Sequence, residues 1–130
     1  MKKEEVERLL KRSRSFKDAA DFHFSRGDYD LTVFSLEQSL QLFLKAKLIE
    51  NGVDFPKTHS LRRLFLVLGQ VIDHSVDFSE FEKSRSLEFS SLEDAYITSR
   101  YFPREFTKEE TERLMKFYLE VVEFVGRFLG

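Results

Sequence analysis

The sequence predicts an all-α fold, an up-and-down bundle of four to five helices, and three observations support this class. Apolar residues recur at three- and four-residue steps along most of the chain, which is the periodicity of amphipathic helices. No segment shows the sustained two-residue alternation of a half-buried strand. Only two prolines, Pro56 and Pro103, occur in 130 residues, so the turn signals divide the chain into long pieces. We expect one domain over residues 1–130, since this length suits a single core.

The first two helices are predicted on either side of Gly27. Apolar residues at helical spacing over residues 6–24 predict helix one, and Gly27 supplies its stop. Asp28 is the expected cap of helix two, which runs to Asn51-Gly52. Helix two carries two apolar stripes, which indicates neighbours on both sides.

A narrow polar row lies between the apolar stripes of helix two. Glu37, Gln41 and Lys45 follow one another at four-residue spacing, and residues four apart lie on the same face of a helix. The sequence therefore predicts three polar side chains in one line along a helix that is otherwise apolar.

Helix three is expected to begin after a cap at Thr58 and to end near His74, with its apolar face over residues 61–72. The segment that follows contains two capping-box patterns. These patterns pair Ser79 with Glu82 and Ser90 with Glu93. The sequence leaves open whether this fourth segment is one helix to Ser99 or two helices with a break.

The last helix is predicted from residue 107 to the end of the chain. Pro103 disfavours helical geometry at Phe102 and donates no backbone hydrogen bond, so the preceding helix must end there. Thr107 and Glu110 form a capping box, and the apolar residues after them hold one face for about five turns.

Composition excludes several classes of protein. The chain has no Cys, which rules out a disulfide framework, thiolate metal ligation and a cysteine nucleophile. A net charge of −2 argues against a domain built to wrap duplex nucleic acid. The apolar stretches are far shorter than the roughly 20 residues of a membrane span, and no signal peptide is evident, so we expect a cytoplasmic protein. Charged residues make up 34% of the chain, which favours a heat-adapted source.

No motif indicates a metal or cofactor. His23, His59 and His74 are far apart and lack the i, i+4 spacing that lets one helix bind a metal ion. The five glycines form no phosphate-binding cluster, and no Ser lies in a nucleophile-elbow context. We therefore expect neither a metal site nor a cofactor.

The middle of the chain, however, carries a recognisable order of motifs. It reads GDYDLTVFSLEQSLQLFLKAKLIENGVDFPKTHSLRRLF and is followed later by AYITSRYFP. This order resembles the HEPN domain family, whose pattern is a Tyr opening the second helix, a Lys-Ala late in it, a Thr-His-Ser-Leu-like start to the third, and an Arg-Tyr before a Pro after the fourth. Matching elements cover nearly the whole chain: Tyr29, Lys45-Ala46, Thr58 to Leu61 and Arg100-Tyr101.

Two departures from the family pattern concern the binding site. Many members have a Glu where this chain has Gln41, and Phe102 separates Arg-Tyr from Pro103. Ribonuclease members also carry an Arg followed four to six residues later by a His, and no Arg here is so followed. RNA cleavage by the 2′-hydroxyl needs a proton acceptor and a donor near neutral pH, which imidazole supplies best. We therefore expect no ribonuclease activity and no catalytic residue.

What the resemblance implies is a non-catalytic helical module that pairs with a small nucleotidyltransferase in a toxin-antitoxin-like arrangement. Such a module also binds a nucleotide or a nucleic-acid phosphate. The alternative is a purely structural helical adaptor, and a ribonuclease is the least favoured interpretation because the Arg-to-His spacing is absent.

Four residues are the expected ligand contacts: Lys45, His59, Arg100 and Tyr101. If they converge, they line a small anion-binding cleft between helices. The forked donor of Arg100 and the ring of Tyr101 suit a phosphate and a base, although Arg100 could instead pair with Glu37. A solvated Lys45 and a structurally packed His59 are the corresponding alternatives.

Three further residues are expected to support the site. Glu37 and Gln41 are expected to hydrogen-bond within the bundle or to orient Arg100. Arg62 could add positive potential beside His59 or could face solvent.

Fifteen phenylalanines in so short a chain are more aromatic surface than one small core comfortably hides. The residues outside regular core positions are Phe55, Phe78, Phe81, Phe102 and Phe106. They could plug the ends of the bundle or form the two-fold interface of a homodimer. Together with the family resemblance, the surplus leads us to expect a homodimer.

Overall fold

The structure, a computed structural model, describes residues 2–101 and 104–129, apart from the side chains of residues 98–101. Within these ranges the chain forms six helices and no strand: α1 Lys2–Ser25, α2 Tyr29–Glu50, α3 Leu61–Val71, α4 Ser75–Ser84, α5 Ser86–Tyr101 and α6 Lys108–Leu129. The predicted all-α class is confirmed. The predicted bundle of four to five helices is consistent with these six, because the fourth segment divides into α4 and α5. None of these helices has the length and apolar character that crossing a membrane requires.

Helix α2 occupies the centre of the bundle. It packs against α1, α3, α5 and α6, which is why its apolar residues lie on two stripes. More than half of its residues are buried, and these include polar ones such as Glu37, Ser39 and Gln41. A helix enclosed in this way has no broad solvent face, so its polar side chains need partners inside the protein.

Small side chains bring α1 close to α2. Ser13 Oγ donates to the backbone oxygen of Ser39 at 2.7 Å, and Ser39 Oγ donates to the backbone oxygen of Ser13 at 2.7 Å. The hydroxyl groups of Ser39 and Tyr118 lie 2.8 Å apart, which ties α6 to the same point. These side chains satisfy one another at a contact that excludes water.

A break at Arg85 separates α4 from α5, and it shows that both capping boxes predicted in this segment were wrong. Helix α4 begins at Ser75 and α5 at Ser86, so Ser79 and Ser90 lie inside helices. Their expected partners, Glu82 and Glu93, both accept hydrogen bonds from Arg62. A charged guanidinium binds a carboxylate more strongly than a backbone N–H does, so Arg62 determines where these carboxylates point.

The helix caps differ in part from the predicted ones. At the start of α3 the cap is Ser60, whose Oγ accepts from the backbone N–H of Arg63 at 3.2 Å, whereas Thr58 was expected. Asp28 precedes α2 as predicted but makes no side-chain capping bond. The capping box of α6 is confirmed, since Thr107 N donates to Glu110 Oε1 at 2.9 Å and Glu110 N donates to Thr107 Oγ1 at 3.1 Å.

The phenylalanines of the described residues pack mainly inside the bundle. Phe78 and Phe106 are buried, Phe55 and Phe81 pack half-buried against the core, and Phe102 lies outside the described residues. Rings from α3, α4, α5 and α6 form a contiguous cluster around Phe65, with ring centroids 4.6 to 5.9 Å from its own. The aromatic surplus is therefore used in packing, and it no longer argues for a dimer interface.

We expect Gly69→Ala to destabilise the fold, because a Cβ at this position would lie 2.6 Å from Cβ of Phe78 where α3 meets α4. Overpacking of this kind costs about 1–3 kcal/mol of unfolding free energy. The matched control is Gly126→Ala in α6, where a Cβ has no atom within 4 Å and helix propensity favours alanine by up to about 1 kcal/mol. Urea denaturation measures both, and equal effects of the two substitutions would contradict the close α3–α4 contact.

Candidate functional site

A chain of hydrogen bonds runs along α2 from the core towards the surface. Glu37 is fully buried, and its two oxygens accept from Gln38 Nε2 at 2.7 Å and from Gln41 Nε2 at 2.8 Å. Gln41 Oε1 accepts from Lys45 Nζ at 2.9 Å and lies 3.4 Å from His59 Nδ1. We call Glu37, Gln41, Lys45 and His59 the polar chain. It links a buried carboxyl group to two basic side chains.

Aromatic rings hold the outer end of the polar chain. The ring of His59 stacks on that of Tyr96 in α5, with centroids 4.7 Å apart and an angle of 21° between the planes. Lys45 Nζ lies 5.0 Å from the ring centroid of Phe55, which is within the range of a cation–π contact. Three segments therefore contribute to the site: α2, the loop before α3, and α5.

Burial controls the electrostatics of the polar chain. It raises the pKa of Glu37 to about 7, against the hydrogen bonds from Gln38 and Gln41 and the charge of Lys45, which lower it. The Lys45 pKa is lowered from its usual value by burial, while the nearby Glu37 opposes this shift. Near neutral pH the inner carboxyl group is therefore only partly ionised and gives Lys45 an incomplete counter-charge.

The predicted ligand contacts lie partly within the described structure. Lys45 and His59 lie against the same amide oxygen, that of Gln41, and the anion-binding cleft itself stays a prediction. Arg100 and Tyr101 belong to the last turn of α5, but their side chains lie outside the described residues. Whether Arg100 pairs with Glu37 thus stays a prediction. The backbone of α5 packs on α2, and Arg100 follows Tyr96 by four residues.

Arg62 was expected either to add positive potential beside His59 or to face solvent, and it instead forms ion pairs with Glu82 and Glu93. Its guanidinium donates to Glu82 Oε2 at 3.0 Å and to Glu93 Oε1 at 3.3 Å, and also to Ser86 O and Ser90 Oγ at 2.9 Å. Two carboxylates thus balance its charge, and the side chain joins α3 to α4 and α5. Ser60, the cap of α3, donates to Glu93 as well.

Tyr96 is the site residue that sequence analysis missed. The stacking partner of His59 lies 37 positions further along the chain, and no local pattern couples the two. The available signal was its position in AYITSRYFP, one helical turn before Arg100, within the segment that carried the family resemblance.

The structure is an all-α domain with a polar site between its central helix and the flanking elements, and the comparison with known proteins agrees with the all-α fold. The model of the HEPN domain family matches residues 6–128. The chain belongs to the HEPN domain family. Searches of curated proteins and of solved structures give no significant match. Among the residues that the structure describes, no group of three or more His, Asp or Glu could hold a metal ion.

We expect Glu37→Gln to change how stability depends on pH. The folded-state pKa of about 7 exceeds the ordinary value of 4.5, so the folded protein binds a proton more tightly than the unfolded chain does. The stabilisation from this group is therefore complete below about pH 4.5 and is lost as the pH rises through 7. The amide introduced by the substitution cannot ionise, so the decline of unfolding free energy between about pH 5 and 8 should be shallower in the variant.

The measurement is urea denaturation across that pH range, with Glu123→Gln as the control at an exposed position of α6. Both substitutions remove one carboxyl group, but only the first removes a buried one. Parallel stability curves for wild type and Glu37→Gln would contradict the raised pKa.

Proposed function

We propose that this HEPN domain is a non-catalytic helical module that binds the phosphate of a nucleotide or nucleic acid and pairs with a small nucleotidyltransferase. The observation that carries the binding function is the convergence of Lys45 and His59 on Gln41, with Gln41 anchored by the buried Glu37. Lys45 and His59 supply donors, and the stacked rings of His59 and Tyr96 offer an aromatic edge next to them.

The burial of the inner half of the polar chain supports a ligand site over a solvated surface. Glu37 is 0% and Gln41 is 6% exposed, and a leucine at either position would suit the centre of a bundle better. Every link of the chain is hydrogen-bonded, so the side chains are held in fixed orientations. A fixed cation at the surface end binds an anion with little loss of side-chain entropy.

The non-catalytic assignment rests on the sequence, since the ribonuclease spacing of Arg and His is absent. His59 nevertheless brings an imidazole next to Lys45 by another route. A labelled RNA therefore belongs in the test of function. Sustained cleavage by the purified protein, lost in Arg100→Ala, would replace the binding function with a ribonuclease activity.

We expect nucleotide to bind the wild-type protein and to raise its melting temperature, as a ligand of the folded state must. Calorimetry with nucleoside monophosphates, diphosphates and triphosphates measures the affinity. The double variant Lys45→Ala, Arg100→Ala should lose about a hundredfold or more in affinity, since it removes two charge-assisted hydrogen bonds that each contribute about 1.5–3 kcal/mol. Lys116→Ala, at an exposed position of α6, is the control.

Unchanged affinity in the double variant would discard this site. If no nucleotide binds the wild type or shifts its melting temperature, the structural adaptor is the correct interpretation.

The pairing with a nucleotidyltransferase and the homodimer are supported by the family resemblance and by exposed apolar side chains on α4 and α5. Val76 is 69% exposed, Leu87 81% and Ile97 54%. Exposed large apolar side chains of this kind are available for contacts with another protein. We propose that these three side chains contact a second chain.

Light scattering at micromolar concentration should give twice the chain mass of 15.5 kDa. Leu87→Ser should lower this mass, whereas Leu119→Ser, which changes a leucine 58% exposed on α6, should leave it unchanged. Co-expression with a nucleotidyltransferase encoded beside the gene should yield a stable complex. A mass of 15.5 kDa for the wild type contradicts the dimer, and failure of the two proteins to co-purify contradicts the pairing.

A further inference from the structure

Gln41 joins the buried end of the polar chain to its exposed end. Its Nε2 donates to Glu37 Oε2 at 2.8 Å, and its Oε1 accepts from Lys45 Nζ at 2.9 Å. A reversed amide would place NH₂ against the ammonium group of Lys45, so that two donors faced each other. Glu37 and Lys45 thus fix the direction of the amide, and its oxygen faces outward towards His59 as well.

The partner that the two basic side chains share is neutral. An ammonium group has three N–H donors, and the amide oxygen satisfies one of them without supplying a negative charge. Among the described residues, Lys45 Nζ contacts the amide oxygen of Gln41 and the ring of Phe55, and the carboxyl group of Glu37 acts on it from one link further along the polar chain. A carboxylate of the same length at position 41 would form an ion pair with Lys45 and would neutralise the site from within. The identity of residue 41, together with the incomplete counter-charge from Glu37, therefore decides how much positive charge remains for a ligand.

The site is also compact. Lys45 Nζ and His59 Nδ1 approach the same oxygen atom, Gln41 Oε1, from different segments at 2.9 and 3.4 Å, so the two side chains lie close to each other. A polynucleotide backbone is held by cations spread along it, whereas a terminal phosphate presents three oxygens and up to two negative charges at one point. A phosphodiester carries one charge and two free oxygens. The arrangement fits the terminal group better.

We propose that Gln41 sets the charge of the ligand, because its neutral amide leaves Lys45 and His59 available to a phosphate monoester, the terminal group of a mononucleotide. This inference rests on the function proposed above and names its ligand class. Gln41 is a specificity-determining residue in this role, and the buried Glu37 positions it.

The experiment compares two probes that differ by one charge. Adenosine 5′-monophosphate and its methyl phosphate ester are titrated into the wild type and the variants Gln41→Glu, Gln41→Met and Lys45→Met by calorimetry. The wild type should prefer the monoester by about tenfold or more, as an added charge-assisted contact requires. Gln41→Glu should lose about that factor for the monoester and lose the preference, whereas the neutral Gln41→Met should keep the preference.

The outcomes separate this inference from the proposed function. If neither probe binds the wild type, or if Lys45→Met binds as the wild type does, the proposed site itself is wrong. If Lys45→Met loses binding while Gln41→Glu keeps its preference for the monoester, the site stands and the role of Gln41 is wrong. Loss of preference in Gln41→Met would show that the amide orients the site without setting its charge, which overturns the inference.

Circular dichroism and thermal unfolding confirm that each variant is folded. Should Gln41→Glu fail to fold, the wild type and Gln41→Met still test the inference. Equal binding of the two probes by the wild type overturns the phosphate monoester as the ligand class. Inorganic phosphate is titrated in parallel, and affinity equal to that of the mononucleotide would identify a phosphate site that ignores the nucleoside, which overturns the mononucleotide as the ligand.

Discussion

The enclosure of α2 by four other helices is the constraint on which the rest of the structure depends. A helix in that position contributes most of its surface to the core, and any polar side chain on it loses contact with water. The hydroxyl of Ser39 meets this cost through Ser13 and Tyr118. Glu37 and Gln41 meet it through each other and through Lys45. Glu37, Gln41 and Lys45 are spaced four residues apart, so they lie in one row on the same face of α2. Each of these side chains can therefore reach the next one along the helix.

Arg62 provides the second organising contact, and it acts across elements. By binding Glu82 and Glu93 it fixes α4 and α5 against the start of α3. Glu93 lies three residues before Tyr96, so the clamp and the ring that stacks on His59 belong to the same turn of α5. Arg62, for which positive potential and a solvent-facing position were both open, therefore has a structural role. Its charge is satisfied internally, and the geometry it imposes brings α5 to the polar chain.

Local signals were sufficient to predict much of this fold. Amphipathic periodicity and Gly27 located the first two helices, and the capping box of Thr107 and Glu110 located the last. The polar row on α2 was likewise visible, since spacing along one helix fixes which side chains share a face. Prediction failed where a distant partner competed with a local one. Glu93 had the spacing of a capping residue, but Arg62, 31 positions earlier in the chain, binds it instead.

Glu37 has two opposing effects in the polar chain: it orients Gln41, and its burial lowers the stability of the fold at higher pH. A carboxyl group with a pKa raised by burial makes the folded state less stable as the pH rises, so the group is not retained for stability at neutral pH. What it does provide is an acceptor inside the bundle that holds the amide of Gln41 in one direction. An apolar residue at position 37 would free that amide to rotate, and Lys45 would lose its fixed acceptor. The ligand proposed above would offset part of this cost by stabilising the folded state. The role of the buried carboxyl group of Glu37 is thus to orient Gln41, which in turn positions Lys45. The loss of stability at higher pH follows from placing this carboxyl group on the most enclosed helix of the bundle.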